Sequence, residues 1–437
     1  MAKKYVYIVD GSRSPQLKAK GRQGPFSASD MAVQAAKPLL LRNSLATENV
    51  DEVILGCMMP SPDEANIARV VALRLGIPQR VPAWTVQRNC ASGMQSIDSA
   101  YNNIKSGLSD IVLAGGVEAM SHAPVLLNNN MVNWLGGLAS ARTPAKKFKH
   151  ILKLRPHLLK PVIALIRGLT DPIVGLNMGQ TAEEIAYRFN ISRAQMDEYA
   201  VASHQRLAQA YDDGALDEIE VLYDSNGNYY DEDDGMRRDS SVENLARLRP
   251  AFDRKYGSVT AGNSAQITDG ASWVLLASEK AVKKYNLSVL AKISDTEWAG
   301  LDPKVMGMGP VHAMTPVMQR NKLKIDDIDY WEINEAFATQ VLGCVAAWNE
   351  EAYCKEHLNL KKPMGSIPHD RLNIDGGGIS LGHPVGASGA RIVLHLANIL
   401  KRKNAKRGIA SLCIGGGQGG AMLIEREDTT EQENEHE

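Results

Sequence analysis

The chain repeats itself. "VDEVILG" (residues 50–56) matches "IDDIDYWEIN" (325–334), "ASGM" (91–94) matches "ASGA" (387–390), and "DIVLAGG" (110–116) matches "IASLCIGG" (409–416), in the same order in both halves. A duplication constrains a fold more than any single motif, because each copy must rebuild the same elements and the copies must then pack together. Between its first two landmarks the second copy is 21 positions longer, and the polar segment 349–370, which is 22 residues, accounts for that excess as an insertion. Within each copy, short apolar runs punctuated by glycine ("YVYIVDG", "WVLLAS", "AMLIE") alternate with stretches of helical period such as 94–104 and 178–189. That pattern predicts an α/β protein with buried central strands.

With 437 residues, 44% of them hydrophobic, the chain can bury one large core or two to three ordinary ones. A net charge of −1 gives no overall field for nucleic acid, which is not expected as a partner. The five cysteines (Cys57, Cys90, Cys344, Cys354, Cys413) are odd in number and widely spaced, so neither a disulfide framework nor a zinc ribbon is suggested. The expected setting is a reducing cytoplasm. The first residues run straight into a strand-like segment without a secretory h-region, and no apolar run is long enough to span a membrane. Two regions lie outside the repeat. Between Glu118 and Asp171 there is no acidic residue, while Arg142, Lys146, Lys147, Lys149, Lys153, Arg155, Lys160 and Arg167 alternate with Phe148, Ile151, Leu152, Leu159 and Ile166, making a basic amphipathic insertion. The acidic tail, 427–437, has no core-forming residues and is expected to be disordered.

Chemistry concentrates in four glycine-rich or strand-end turns. In "VQRNCASGMQSI" a strand ends and a helix begins, so 89–93 form the turn and Cys90 sits at a helix N-terminus. Unpaired N–H groups and the helix dipole there favour the thiolate; a small buried thiol is the plainer alternative. In "DGGGISLGHPVGASGARIVLHL" glycines crowd around His383, either a general base or a structural hydrogen-bonding residue. "SLCIGGGQGGAMLIE" satisfies G-x-G-x-x-G at Gly415, Gly417 and Gly420, yet a strand-like run follows instead of a helix, which removes the dinucleotide reading. Its glycines instead leave bare N–H groups beside Cys413, as an oxyanion-binding loop would. In "EINEAFATQ" Asn334 ends a strand, either as a site residue or as a helix cap. Two cysteines, a histidine and an asparagine in such turns suggest acyl transfer through a thioester. No two of Cys90, His383 and Cys413 share local metal spacing, so no metal is expected.

These motifs closely resemble the thiolase family. "NCASGMQS", "VTAGNSAQITDGAS", "VMGMGP", "NEAFA", "GGGISLGHPVGASG" and "CIGGGQGGAM" stand in the family's order over nearly the whole chain, with "LRPAFD" (248–253) adding support. The resemblance implies an α/β thiolase fold of two similar α-β-α-β-α layered halves with an inserted loop domain. The expected boundaries are 1–120 and 251–290 for the N-terminal half, 121–250 for the loop domain, 291–426 for the C-terminal half and 427–437 for the tail. It implies that Cys90 carries the acyl group, that His383 activates it and that Cys413 moves the α-carbon proton. Asn334 would hold a water in one oxyanion hole, and the N–H groups of Cys90 and Gly415 would form the other. Met178, Phe252, Ser264, Met306 and Phe337 would contact coenzyme A, a co-substrate, with no cofactor tightly bound. In two places the sequence departs from the family: Asn177 stands where many members have histidine, and Ser264 falls one place early in "TAGNSA".

The implied reaction is thiolytic cleavage of 3-oxoacyl-CoA to acetyl-CoA and a shortened acyl-CoA, as in fatty-acid β-oxidation. Short-chain acetyl-CoA acetyltransferase activity and a non-catalytic lipid carrier of the same fold are the alternatives. A decarboxylating ketoacyl synthase would be expected to carry two histidines, and Cys413 in "CIGGG" points away from it. The resemblance to thiolase subunits of β-oxidation complexes further implies a homodimer or homotetramer and a hydratase/dehydrogenase partner subunit. Residues 142–167 are expected to meet that partner or, peripherally, the anionic inner membrane surface; a surface for CoA phosphates is the alternative.

Overall fold

The computed structural model describes residues 4–43 and 45–426. The acidic tail therefore lies outside the described residues. The first half contributes strands β1 (Val6–Arg13), β2 (Glu52–Gly56), β3 (Ala83–Val86), β4 (Ile111–Ala119) and β5 (Thr268–Ser278), and the second contributes β6 (Ala291–Gly300), β7 (Tyr330–Ile333), β8 (Arg407–Ile414) and β9 (Gln418–Glu425). They run β7-β8-β9-β6-β1-β5-β4-β2-β3, with the short Leu17–Lys18 strand pairing to β5.

The duplication is visible in this order. In the first half β2 and β4 are parallel, and β4, β5 and β1 are successively antiparallel. In the second half β7 and β8 are parallel, and β8, β9 and β6 are successively antiparallel. Even the register shifts correspond: one falls between Ile8 and Asp10 on β1, the other between Ile293 and Asp295 on β6. The counterpart of β3 is reduced to a single parallel bridge, Trp331 to Leu372, beyond the polar segment that lengthens the second copy. The halves meet where β1 pairs with β6 through Tyr7–Lys292 and Ile8–Ala291.

Helices complete the layers. Outer helix α1 (Ala28–Arg42) covers the first half and α3 (Gly309–Arg320) the second, while α2 (Ser92–Ser106) and α4 (Val385–Arg402) lie between the half-sheets. Three buried clusters follow from this arrangement. One joins α1 residues such as Met31 and Leu39 to Val53, Leu113 and Trp273; a middle one joins Met94, Ile97, Ile392 and Leu396 to strands of both halves; the third packs Met314 and Val317 under Trp331 and Trp348. The layer order across the molecule is thus α-β-α-β-α. The two inner helices cross at the repeated "ASG" motifs. A Cβ on Gly93 would lie 2.8 Å from the Ala390 nitrogen, and one on Gly389 would lie 2.6 Å from the Met94 nitrogen, so only glycine permits this approach.

The basic insertion folds around a two-stranded ribbon, Val125–Leu127 with Pro161–Ile163, flanked by helices Asn129–Ser140 and Pro144–Ile151 that bury no residue. Phe148, Leu152, Leu159 and Ile166 are exposed. Its last residues, 166–173, return over the C-terminal ends of the parallel strands. Among the described residues no helix is long and apolar enough to cross a membrane.

Candidate active site

Beyond β3 the backbone turns sharply at Asn89, whose φ of +45° is left-handed, a conformation asparagine tolerates better than most residues. Ser92 braces the turn, its Oγ accepting the Arg88 N–H at 2.9 Å and donating to the Asn89 carbonyl at 2.7 Å. Across the boundary between the halves, Asn89 Nδ2 donates to the Gly415 carbonyl at 2.8 Å. The N–H groups of Gly415 and of Cys90 itself point at the Cys90 sulfur. The helix-end position predicted a thiolate. Instead, burial raises the thiol's pKa above its ordinary value and outweighs both N–H groups, with the charge of Glu118 adding to the rise. At rest Cys90 is a thiol, and it needs a base.

His383 is buried just ahead of α4. Its Nδ1 lies 2.6 Å from Ser388 Oγ, and that hydroxyl donates its hydrogen to the Pro384 carbonyl at 3.1 Å. With that hydrogen on Pro384, Ser388 is free to accept from Nδ1–H, the tautomer that leaves the lone pair on Nε2. Burial, reinforced by the nearby Arg391 charge, pushes the imidazole down to about 4, so it is neutral near pH 7 and available to take a proton. Asn334 Nδ2 lies 3.5 Å from both ring nitrogens. The capping alternative for Asn334 does not hold: the following helix starts at Ala338 with Phe337 at its cap. The Asn334 N–H donates to Ser411, while its Oδ1 finds no hydrogen-bond partner among the described residues.

Cys413 lies near the end of β8 and is fully buried; burial raises its thiol pKa, and the neighbouring Cys90 and Cys344 add to the effect. The loop after it is the β8–β9 turn, with Gly416 and Gly417 at φ of +90° and +75°. A Cβ on Gly417 would come within 2.2 Å of the Leu301 carbonyl oxygen. No helix opens from this glycine run, in agreement with the absence of a dinucleotide fingerprint.

Two cavities meet at Cys90. The first, about 430 Å³, is lined by Cys90, His383 and Cys413 together with Met178, Phe252, Ser264, Met306 and Phe337. The second, about 870 Å³, is walled by Met58, Ile166, Leu169, Ile173, Val385 and Gly415. Phe252 and Phe337 pack edge to face at 5.9 Å, and the Phe252 ring fills the space above Gly179. Ser264 reaches the first cavity, but its hydroxyl hydrogen is committed to the Thr260 carbonyl at 2.6 Å, leaving only acceptor capacity. Asn177 caps the helix Met178–Arg188 through a reciprocal pair with Gln180, so the residue that replaces histidine has a local structural task. Asn334 stands behind His383 and lines neither cavity. Among the described residues no group of three or more His, Cys, Asp or Glu side chains is placed to hold a metal.

Sequence reasoning overlooked several supporting residues. Ser388 had a signal, since it stands five residues after His383 and falls in the first turn of the next helix. Glu335, polar beside Asn334 at the strand end where α/β sites lie, has a buried carboxylate that accepts from Tyr199, Ser203, Asn373 and the Ile379 N–H, fixing that strand end. Tyr199 and Ser203 lie in the helix Arg193–Asp212, far away in sequence, and no local pattern joins them to Glu335.

Comparisons with known proteins accord with this geometry. Residues 6–280 match the family model described as thiolase, N-terminal domain, and residues 287–426 match thiolase, C-terminal domain. The chain is 38% identical over 425 residues to the mitochondrial 3-ketoacyl-CoA thiolase of Bos taurus, covering 96% of this chain and 98% of that protein. It is 34% identical over 421 residues to the mitochondrial trifunctional enzyme subunit beta of Bos taurus, covering 96% and 88% respectively. Among solved structures, human mitochondrial 3-ketoacyl-CoA thiolase in complex with CoA superposes with a TM-score of 0.82 at 35% identity, over 97% of this chain and 98% of that one.

Proposed function

The chain belongs to the thiolase family of acyltransferases, and from that premise we propose that it cleaves 3-oxoacyl-CoA with free CoA through an acyl thioester on Cys90. The observation that carries the reading is the convergence of Cys90, His383 and Cys413 on one cavity, with two N–H groups aimed at the Cys90 sulfur. His383 Nε2 takes the thiol proton as Cys90 attacks the 3-keto carbon; the bond between C2 and C3 then breaks, and acetyl-CoA leaves as its enolate. Cys413 protonates that enolate. In the second half the Cys413 thiolate takes the proton of incoming CoA, whose sulfur attacks the Cys90 thioester, and the shortened acyl-CoA departs as Cys90 recovers its proton from His383. Charge develops on oxygen twice. The N–H groups of Cys90 and Gly415 serve the oxygen at the Cys90-bound carbon, and His383 with a water held by the free Oδ1 of Asn334 serves the thioester enolate.

The first cavity, with its Phe252–Phe337 pair, Met178 and Met306, suits the pantetheine arm. The second, apolar on Met58, Ile166, Leu169 and Ile173, suits an acyl tail of medium or long chain. The sheet ends at β3, an edge strand carrying the exposed Trp84, which favours a homodimer formed edge to edge. The exposed apolar and basic face of the insertion favours an acidic partner subunit, in keeping with the relatives named trifunctional enzyme subunit beta. Co-purification that survives Phe148→Ser combined with Lys149→Glu would count against that surface.

The reaction is tested by following loss of the 3-oxoacyl-CoA enolate absorbance on addition of CoA, with acetoacetyl-CoA and a long-chain substrate side by side, for wild type and Cys90→Ser. Cleavage of the long substrate by wild type, and near-complete loss in the variant, is the expected result. Turnover of acetoacetyl-CoA alone would make the protein a short-chain acetyltransferase; no turnover of either would reopen the assignment.

A further inference from the structure

Near the end of β4, Glu118 is completely buried and forms no ion pair among the described residues. Two other buried carboxylates are paired with cations: Glu332 has Arg391, and Glu218 has Arg13 and His395. Glu118 accepts only backbone N–H groups, from Met58 at 2.9 Å, Met59 at 3.1 Å and Gly386 at 3.1 Å, with Cys57 Sγ at 3.7 Å. A carboxylate without a cation is costly to bury; three N–H donors and the positive end of an 18-residue helix oppose that cost, and burial still prevails, pushing the carboxyl up to about 7.

The segments it joins are the two walls of the site. Gly386 belongs to the first turn of α4, which holds His383 through Ser388, and the adjacent Val385 lines both cavities. Met58 lines the second cavity and faces the insertion, where a Cβ on Gly168 would lie 3.4 Å from the methionine methyl. These segments come from opposite halves of the chain, and glycine is what lets them meet. A Cβ on Gly116 would lie 2.0 Å from the Gly386 carbonyl oxygen, and one on Gly386 would lie 2.4 Å from the Val117 oxygen and 2.8 Å from the Glu118 carboxylate.

We propose that Glu118 is a positioning residue that ties the His383-bearing turn of one half to the Met58 wall of the other, setting the base and the acyl cavity in register with Cys90. The inference rests on the reading of Cys90 as the acyl acceptor and adds a group that touches no reacting atom. An amide reproduces the tie only in part: its single oxygen can keep the Met58 and Gly386 N–H groups that share Oε2, but its NH₂ then faces the Met59 N–H, and the charge that holds all three donors is gone.

The test compares Glu118→Gln and Glu118→Asp with wild type, using acetoacetyl-CoA and a long-chain 3-oxoacyl-CoA. Thermal unfolding and Cys90 alkylation by iodoacetamide are followed alongside. The expected result for Glu118→Gln is a fall in kcat of roughly ten- to a hundredfold, the scale of a sub-ångström misplacement of a catalytic group. Removing the Glu118 charge by itself eases Cys90 ionisation, so slower alkylation in this variant reads the displaced base; it should slow, KM for CoA should hold within about twofold, and KM should rise for the long substrate only. Glu118→Asp, which keeps the charge on a shorter arm, should recover part of the loss. Wild-type kcat and alkylation in a folded Glu118→Gln protein would overturn the proposal. So would a loss that tracks melting alone, with alkylation of the folded fraction unchanged. Cys90→Ser is the control that separates the two ideas: if it still turns over, the thioester reading has failed, whereas a dead Cys90→Ser beside a wild-type Glu118→Gln sinks only the role of Glu118.

Discussion

Ser388→Ala should cripple the base without disturbing the fold. His383 is buried and neutral near pH 7, so its single ring proton can sit on either nitrogen, and only the tautomer with Nδ1–H leaves Nε2 free to accept. The structure selects that tautomer with one contact, Nδ1 to Ser388 Oγ at 2.6 Å, because the serine's own hydrogen is directed to Pro384. A neutral hydrogen bond of this kind contributes about 0.5–1.5 kcal/mol, and a buried donor stripped of its acceptor costs about 1–3 kcal/mol. The stripped-donor cost already contains the lost bond, so a loss of roughly 1–3 kcal/mol corresponds, at about 1.4 kcal/mol per decade, to a fall in kcat of about 5- to 150-fold. Alanine suits the first turn of α4 and adds no atom, so the variant should stay folded, with a drop in stability no larger than about 1–3 kcal/mol. Two assays read the effect together: thiolysis of 3-oxoacyl-CoA, and alkylation of Cys90 by iodoacetamide across pH 6–9. Both depend on Nε2 accepting the Cys90 proton, and both should slow by a similar factor while KM for CoA holds. Alkylation and kcat at wild-type values in Ser388→Ala would refute the tautomer argument.

Four further outcomes follow from the same geometry. Asn89→Ala removes the tether to Gly415 and puts a Cβ-bearing residue with no side-chain hydrogen bond at φ +45°, an intrinsic cost of about 1 kcal/mol; a roughly tenfold lower kcat with a small drop in melting temperature is expected. Gly389→Ala forces a Cβ against the Met94 backbone where the inner helices cross, and urea titration should show at least about 1–3 kcal/mol of lost stability. Met58→Trp narrows the second cavity, so the ratio of long-chain to acetoacetyl-CoA turnover should fall at least about tenfold, the lower end of what differential packing in a pocket can supply. His395 is held between Glu218 at 2.8 Å and Asp375 at 3.1 Å; burial opposes its charge, but the carboxylates prevail and push it up to about 10 from 6.5. Its contribution is therefore fully present below about pH 6.5 and lost as pH rises through about 10. A melting-temperature profile should decline over that window, and His395→Gln, which breaks a buried pair at about 3–5 kcal/mol, should flatten it.

How far the sequence disclosed this site depends on what kind of contact makes each part. The turns at Cys90, His383, Asn334 and Cys413–Gly415 were legible because each is built locally, from a strand end, a glycine run and a helix start. The duplication was legible because the "ASG" pair and the strand runs recur in order. What stayed hidden is non-local. The turn at 89–93 before a helix suggested a thiolate, but burial raises the thiol pKa, and the walls that enclose Cys90, Met178, His383 and Cys413 among them, come from far along the chain. The capping role open to Asn334 failed for a local reason that propensity does not encode: three residues intervene before the helix begins at Ala338.

The same distinction explains where the reacting groups lie. Cys90 stands at the end of a first-half strand, while His383, Asn334, Cys413 and Gly415 all come from the second half, so the site exists only if the halves approach to backbone contact. Glycines at 93, 116, 386 and 389 allow that approach, and each would place a Cβ within 3 Å of an atom of the other half. Two polar bridges then set the register: Asn89 to the Gly415 carbonyl, and Glu118 to the Gly386 N–H. The β1–β6 pairing and the bonds from Thr296 and Trp298 to Asp98 already hold the halves together, so the two bridges act on the loops of the site itself, and without the glycines they could not be reached. A double variant makes the argument testable. If the two bridges hold one shared register, Asn89→Ala and Glu118→Gln should be strongly non-additive in kcat, the second change adding little once the first has released the boundary. Simple multiplication of the two effects would show that each bridge serves its own loop, and that the register is fixed by packing alone.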